Sequence, residues 1–463
     1  VRFPGRGLAH RWRTGGRRRA LAAGAAAVAV AMVATGCSGA GALFGDSDRQ
    51  ITVAMVSNSQ MQDAVELSGQ FTEETGIDVK FVTLSENEAR AKITASVATG
   101  GGEFDVVMIS NYETPMWGEY GWLVDLTPYM NDSPGYDADD FIPTLKSALS
   151  YDGNMYAAPF YGESSFLMYN KKMFAEKGVT LPADPTWPQV AEAAAKLDSD
   201  KVAGICLRGK PGWGEVIAPL STVINAYGGR WYDEDWNAQF DSPQVRDAVQ
   251  FYVDTVRKYG EAGAASSGFQ ECSNLLAQGQ TAMWYDATSA VSVLENKDES
   301  AIAGDVGYLP APSMAKGGNG WLYTWALGIP TSSDKHDDAW KFIEWMTSKD
   351  YMKYVVEKKG PESVPPGSRL STYEIPAVKE ASAPYSEQML SAMNAADQTR
   401  PTLEPVPYEG IQFLSIPEFQ DLGTRVSQQI SAAIAGQITV DEALAQSQKY
   451  AEVVGESYQE ESQ

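Results

Sequence analysis

The chain is 463 residues long and carries 60 acidic against 36 basic residues, a formal net charge of −24. So acidic a surface repels phosphate backbones and anionic lipid headgroups, which excludes nucleic acid as the partner and a basic patch as a membrane anchor. Beyond the first 36 residues there is one histidine, His336, so His-based catalysis and a zinc centre lack their usual ligands.

The first 36 residues hold seven arginines (Arg2, Arg6, Arg11, Arg13, Arg17, Arg18, Arg19) and then a small apolar run over 21–34, the layout of a signal peptide. That run is shorter than the ~20 residues a spanning helix needs. It ends at Ala34-Thr35-Gly36-Cys37 before a Gly- and Ser-rich stretch, which resembles a bacterial lipobox with Ala34 in the usual Leu place. The resemblance implies a lipid on Cys37 and a flexible tether over 37–49. Arg17-Arg18 is a loose twin-arginine pattern. Loss of residues 1–36 would leave 29 basic against 60 acidic residues, so an acyl chain must hold the protein at the membrane's outer face. The remaining length predicts two domains, which need not be consecutive in sequence.

A strand over 51–56 runs into the polar loop Ser57-Asn58-Ser59-Gln60 and a helix over 61–75 that Gly76 stops. Strand 79–84, helix 86–98 and strand 105–109 repeat the pattern, and such alternation predicts a mostly parallel sheet with ligand groups at the strand carboxyl ends. Asn58 and Gln60 stand at one such end, Asn111 and Tyr112 at another. Asp152-Gly153 between aromatic and apolar neighbours signals a tight hairpin. The stretch 157–170 then reads as a strand, a break containing Glu163, and a second strand, with pairing expected to stop at Pro159 and bend at Gly162. Asn170 caps a helix over 171–177, and Thr186-Trp187-Pro188-Gln189 is a capping box that opens a second α/β half. That half continues with strand 204–207, a loop containing Arg208, Trp213 and Glu215, and helices over 216–226, 243–259 and 270–278. Strand 281–286 follows, 306–310 reads as a second crossing, and 321–329 is a strand again. A helix over 336–347, a Pro-rich third crossing over 361–367, and a capping box at Thr439 before the last helix complete the chain.

Two apparent motifs fail on inspection. Gly204 to Lys210 imitates a phosphate loop, but Pro211 stands where a magnesium-binding hydroxyl belongs. Asp233 to Asn237 begins like a calcium loop without its glycine and bidentate glutamate. Carboxylates orient hydroxyls through charge-assisted hydrogen bonds. Glu163 at a strand break and Asp286 at a strand end are therefore the leading ligand groups, each weighed against a solvated or structural role. Of the 12 tryptophans, most fall on helices and are packing residues; Trp213, Trp321 and Trp325 lie in or beside loops, where an indole face covers sugar C–H groups. Cys206 and Cys272 read equally as a disulfide or as two buried thiols.

Phe104-Asp105-Val106-Val107, Tyr120 to Thr127, Tyr156-Ala157-Ala158-Pro159, Met168-Tyr169-Asn170-Lys171, Thr186-Trp187-Pro188 and Gly279 to Met283, in that order, resemble the extracellular solute-binding proteins of ATP-driven sugar importers, the maltose-binding group. Tyr161 to Ser165, Arg208 to Glu215, Ala282 to Thr288 and Val364 to Arg369 are more narrowly similar to the sorbitol/mannitol-binding branch. The resemblance implies an α/β, two-lobed periplasmic-binding-protein-like fold of type II with three interlobe crossings. The expected division is a signal peptide over 1–36, lobe 1 over 50–160 and 311–362, lobe 2 over 163–308 and 368–458, and a tail over 459–463. It implies a monomeric, cofactor-free binding lipoprotein that captures a polyol or small sugar for a permease driven by a cytoplasmic ATPase. Gln60, Tyr112, Glu163 and Asp286 fall at family ligand positions; loop placement adds Asn58, Asn111, Arg208, Trp213, Glu215, Trp321 and Trp325. The rival readings are an extracellular glycoside hydrolase using Glu163 and Asp286, a receptor for a disaccharide, and an adhesive lipoprotein without a small ligand.

Overall fold

The computed structural model describes residues 49–317 and 320–461. The leader over 1–36, Cys37 and all of the tether but Arg49 lie outside the described residues. Ten strands are assigned among those described: β1 (Gln50–Val56), β2 (Asp78–Leu84), β3 (Val106–Ser110), β4 (Ser150–Tyr151), β5 (Asn154–Met155), β6 (Ala158–Glu163), β7 (Ser165–Asn170), β8 (Met283–Ala287), β9 (Val306–Pro310) and β10 (Tyr323–Gly328).

The first sheet has the order β2-β1-β3-β10-β6. The near-continuous apolar runs of β1 and β3 are buried, as central parallel strands must be. β1 pairs in parallel with β2 and β3, whereas β10 returns antiparallel between β3 and β6. Helix Glu86–Ala98 lies against β1 and β2, and helix His336–Met346 closes the other side through Phe342, whose ring meets Phe71 and Phe81 at 5.4 and 5.9 Å. The helix expected over 61–75 is interrupted: Ser68 turns its hydroxyl back to the Val65 carbonyl at 2.7 Å, separating Ser59–Leu67 from Gly69–Thr75.

The second sheet, β8-β7-β9, has both of its ladders antiparallel. Its strands come from three distant parts of the chain, so local strand-helix alternation could not reveal their direction. The strand expected over 204–207 survives only as two isolated parallel bridges, Ala203 to Thr281 and Cys206 to Trp284. Gly204 sits so close to the Ala194 backbone that a Cβ would not fit, and the segment is pressed against helix Trp187–Leu197 rather than extended along the sheet. Asp233 spends its carboxylate on Asp235 N, Asn237 N and the Asn237 amide, which makes that segment a closed surface turn.

The chain passes between the sheets from β6 to β7 with only Ser164 between them. Pairing does not stop at Pro159: β6 is an edge strand whose ladder with β10 slips at Trp325/Ala326 and continues to Glu163 opposite Tyr323. The second passage leads from β9 to β10. The third abuts the first, since the Gly162 N–H donates to the Pro366 carbonyl at 2.9 Å. Gly162 and Gly367 are both required by this approach, because a Cβ on either would collide with the other's carbonyl. Asn170 caps helix Lys171–Lys177 by accepting from Lys172 N and Met173 N, and the Thr186/Gln189 capping box is formed.

Candidate functional site

A cavity lies where the two sheets meet. The first sheet's side contributes Asn58 after β1, Glu86 and Arg90 from helix Glu86–Ala98, and Tyr161, Glu163, Tyr323 and Trp325 from the β6/β10 pair. The other side contributes Arg208, Phe269 and Ser289; Trp321, Gln412 and Phe413 complete the wall.

Glu163 points in from the end of β6 and is 6% exposed. Its Oε2 accepts from Ser289 Oγ at 2.5 Å. Burial pushes its carboxyl up to about 8, only partly offset by that hydrogen bond and the Arg208 charge. The break at Ser164 is held in register by the turn after β8, with Ser164 N donating to Thr288 Oγ1 at 3.1 Å and Thr288 N to the Ser164 carbonyl at 2.9 Å.

Arg208 faces the cavity with its other edge committed. Nε and Nη2 donate to the two Asp286 carboxylate oxygens at 2.7 and 2.5 Å, Nη1 donates to the Gly214 carbonyl at 2.9 Å, and the guanidinium lies 5.2 Å from the Phe269 ring. Burial works against its charge, but Asp286 and Glu215 more than compensate, and the net shift is upward, so it stays a cation. Arg90 mirrors it from the opposite side. It donates to Glu86 Oε1 at 2.9 Å, to Glu113 Oε1 at 3.3 Å and to the Tyr323 hydroxyl at 2.5 Å. Its guanidinium lies 4.1 Å from the Trp213 ring and 4.7 Å from that of Trp325.

Of the eleven residues singled out from sequence, Asn58, Glu163, Arg208, Trp321 and Trp325 line the cavity. The other six stand outside its wall, and each has a physical reason. Asp286 is fully buried beneath Arg208 and also accepts from Trp284 Nε1 at 3.0 Å, so it orients the arginine and has no face for a hydroxyl. Glu215 braces the same arginine at 3.5 Å and Lys210 at 3.2 Å. Gln60 bridges to the Ser289 carbonyl and Ser292 Oγ at 3.2 and 3.0 Å. Asn111 accepts from Thr324 N at 3.2 Å, locking β10. The Tyr112 hydroxyl donates to the Ile416 carbonyl at 2.8 Å while its ring packs on Trp213, 5.0 Å away. Trp213 is thereby a packing residue behind Arg90 rather than a cover for ligand carbon. With Asp286 held this way and outside the cavity wall, the Glu163–Asp286 pair that hydrolysis would need is not formed.

Sequence reasoning missed Glu86, Arg90, Tyr161, Tyr323, Ser289, Phe269, Gln412 and Phe413. Arg90 had a legible signal, an arginine four residues after a glutamate and beside the buried stripe Ala89, Ile93 and Val97. Gln412 and Phe413 had none, since 396–418 contains no helix or strand to frame them. Cys206 and Cys272 are joined by a disulfide that ties the loop carrying Arg208 to the helix Phe269–Ala277.

The wall therefore combines buried cations, a buried carboxyl, amides and aromatic faces, a set suited to neutral polyhydroxylated ligands. Residues 55–353 match the model of the bacterial extracellular solute-binding proteins. The chain belongs to that family. It is 42% identical to the mannitol-binding protein of Pseudomonas aeruginosa over 411 residues, 88% of this chain and 93% of that one. The crystal structure of an ABC transporter solute-binding protein from Agrobacterium vitis S4 with bound D-mannitol matches at a TM-score of 0.86 and 47% identity, over 89% of this chain and 99% of that one. A solute-binding protein from Agrobacterium radiobacter K84 in complex with ribitol matches at 0.76 and 22% identity, over 88% and 99%, a likeness that bears on the fold. The fold is the two-lobed α/β architecture of periplasmic sugar-binding proteins. The chain is a solute-binding protein and not an enzyme, and its family works outside the cytoplasm.

Proposed function

We propose that this solute-binding protein captures a linear sugar alcohol of about hexitol length and delivers it to the membrane subunits of an ABC importer driven by a cytoplasmic ATPase. The observation that carries this reading is the D-mannitol held by the A. vitis protein, which shares 47% of its sequence and nearly all of its fold with this chain. The cavity's pairing of Arg208 and Glu163 with aromatic walls supports the same class. Asn58, Arg90, Glu163, Arg208, Trp321 and Trp325 meet the ligand, while Asp286 and Glu215 hold Arg208 in place. The lobes comprise 50–160 with 311–362 and 163–308 with 368–458, and their closure on ligand signals occupancy to the permease. The protein acts as a monomer, anchored to the membrane's outer face by a lipid on Cys37 after removal of residues 1–36. A labelled fatty acid incorporated by the full chain and lost in Cys37→Ala tests the anchor.

A thermal-shift panel of mannitol, sorbitol, arabitol, maltose and trehalose tests the ligand class. A ligand at 100 times its Kd stabilises the folded state by about 2.7 kcal/mol. Melting should rise with the linear polyols and stay put with the disaccharides. A rise with maltose or trehalose and none with any polyol refutes the reading.

A further inference from the structure

Trp321 is 2% exposed and closes the passage from β9 to β10. Its backbone N–H donates to Ser165 Oγ at 3.3 Å, and its ring stands edge-on to Tyr285 with centroids 6.2 Å apart. Trp321 lines the cavity, and its Nε1–H is buried without a hydrogen-bond partner. Among the described residues of the cavity wall it is the single buried side-chain polar atom in that condition. Trp187 and Trp231 also hold unpartnered indole N–H groups, but neither lines the cavity. An indole N–H is a donor only, and a buried donor left unpaired costs about 1–3 kcal/mol.

We infer that Trp321 determines specificity through its Nε1–H, which donates to one hydroxyl oxygen of the bound polyol, rather than through its ring face alone. The inference rests on the polyol reading above. A wall that merely encloses a ligand tolerates a missing hydroxyl, whereas a buried donor left unpaired rejects the analogue that lacks it.

Mannitol's twofold symmetry leaves three kinds of hydroxyl, so the three symmetric dideoxymannitols (1,6-, 2,5- and 3,4-) each remove one kind in both binding orientations. Calorimetric titration of the full chain and of Trp321→Phe, with melting curves confirming that the variant folds, gives the test. The variant should bind mannitol about 10-fold more weakly. One dideoxymannitol should be bound equally by both proteins, within about 2-fold, while the other two keep the 10-fold gap. An unchanged affinity for mannitol, or the same loss with all three analogues, overturns the inference and leaves Trp321 a packing surface. The wild-type complex with mannitol gives an independent answer if the variant does not fold. Nε1 should lie about 3 Å from a ligand oxygen, and a separation beyond about 4 Å overturns the proposal. Wild-type protein that does not bind mannitol at all refutes the polyol reading, and this inference with it.

Discussion

Glu163→Gln isolates the cost of placing a carboxyl between two lobes. Glu163 is buried at the end of β6, and its carboxyl is pushed from an ordinary 4.5 to about 8. Between those values the folded protein holds a proton that the unfolded chain releases, so stability falls as pH rises across that window. Above it the whole penalty applies, about 5 kcal/mol, since each tenfold change in acid strength is worth about 1.4 kcal/mol. Glutamine keeps the side chain's shape and its carbonyl still accepts from Ser289 Oγ, but it has no proton to lose. Urea unfolding of ligand-free wild type and variant at about pH 5, 6.5 and 8.5 measures the difference. The two should be nearly equal at the lowest pH, and the variant should gain a margin of a few kcal/mol at the highest. Parallel stability curves would show that the carboxyl ionises as freely in the folded state as in water, and would refute the burial argument.

Arg208→Ala should abolish polyol binding and destabilise the protein by about 3–5 kcal/mol, since it strands Asp286 as a buried unpaired charge. Adding Asp286→Ala should restore part of that stability but no binding, as unfolding curves and titration would show. Replacing both Cys206 and Cys272 by serine opens a loop spanning 66 residues, for which chain entropy gives a loss of about 4 kcal/mol. A loss below about 1 kcal/mol in urea would contradict that figure. Gly162→Ala drives a methyl into the Leu145 side chain and the Gly367 carbonyl, forcing two passages apart. It should cost about 1–3 kcal/mol and weaken binding, whereas a neutral effect in melting and titration would mean the passages do not bear on each other.

Much of the first lobe was readable because its signals are local: β1, β3 and helix Glu86–Ala98 follow from apolar runs and turn residues close in sequence. The strand direction in the second sheet was not, since β7 meets both β8 and β9 across more than a hundred residues of chain. Glu163 was legible through its strand break. Asp286 stands at a strand end in the same way, yet only the approach of Arg208 decides that it supports a ligand group instead of acting as one. Tyr112 and Trp213 illustrate the same limit, since an aromatic in a loop covers either a ligand or another ring. Their partners Ile416, Phe413 and Phe419 come from a distant part of the chain.

Titrating D-mannitol and maltose separately into the purified chain by calorimetry tests the central claim most directly. Saturable one-to-one heat with mannitol and none with maltose is the expected result. Saturation by maltose with no response to mannitol would contradict the account.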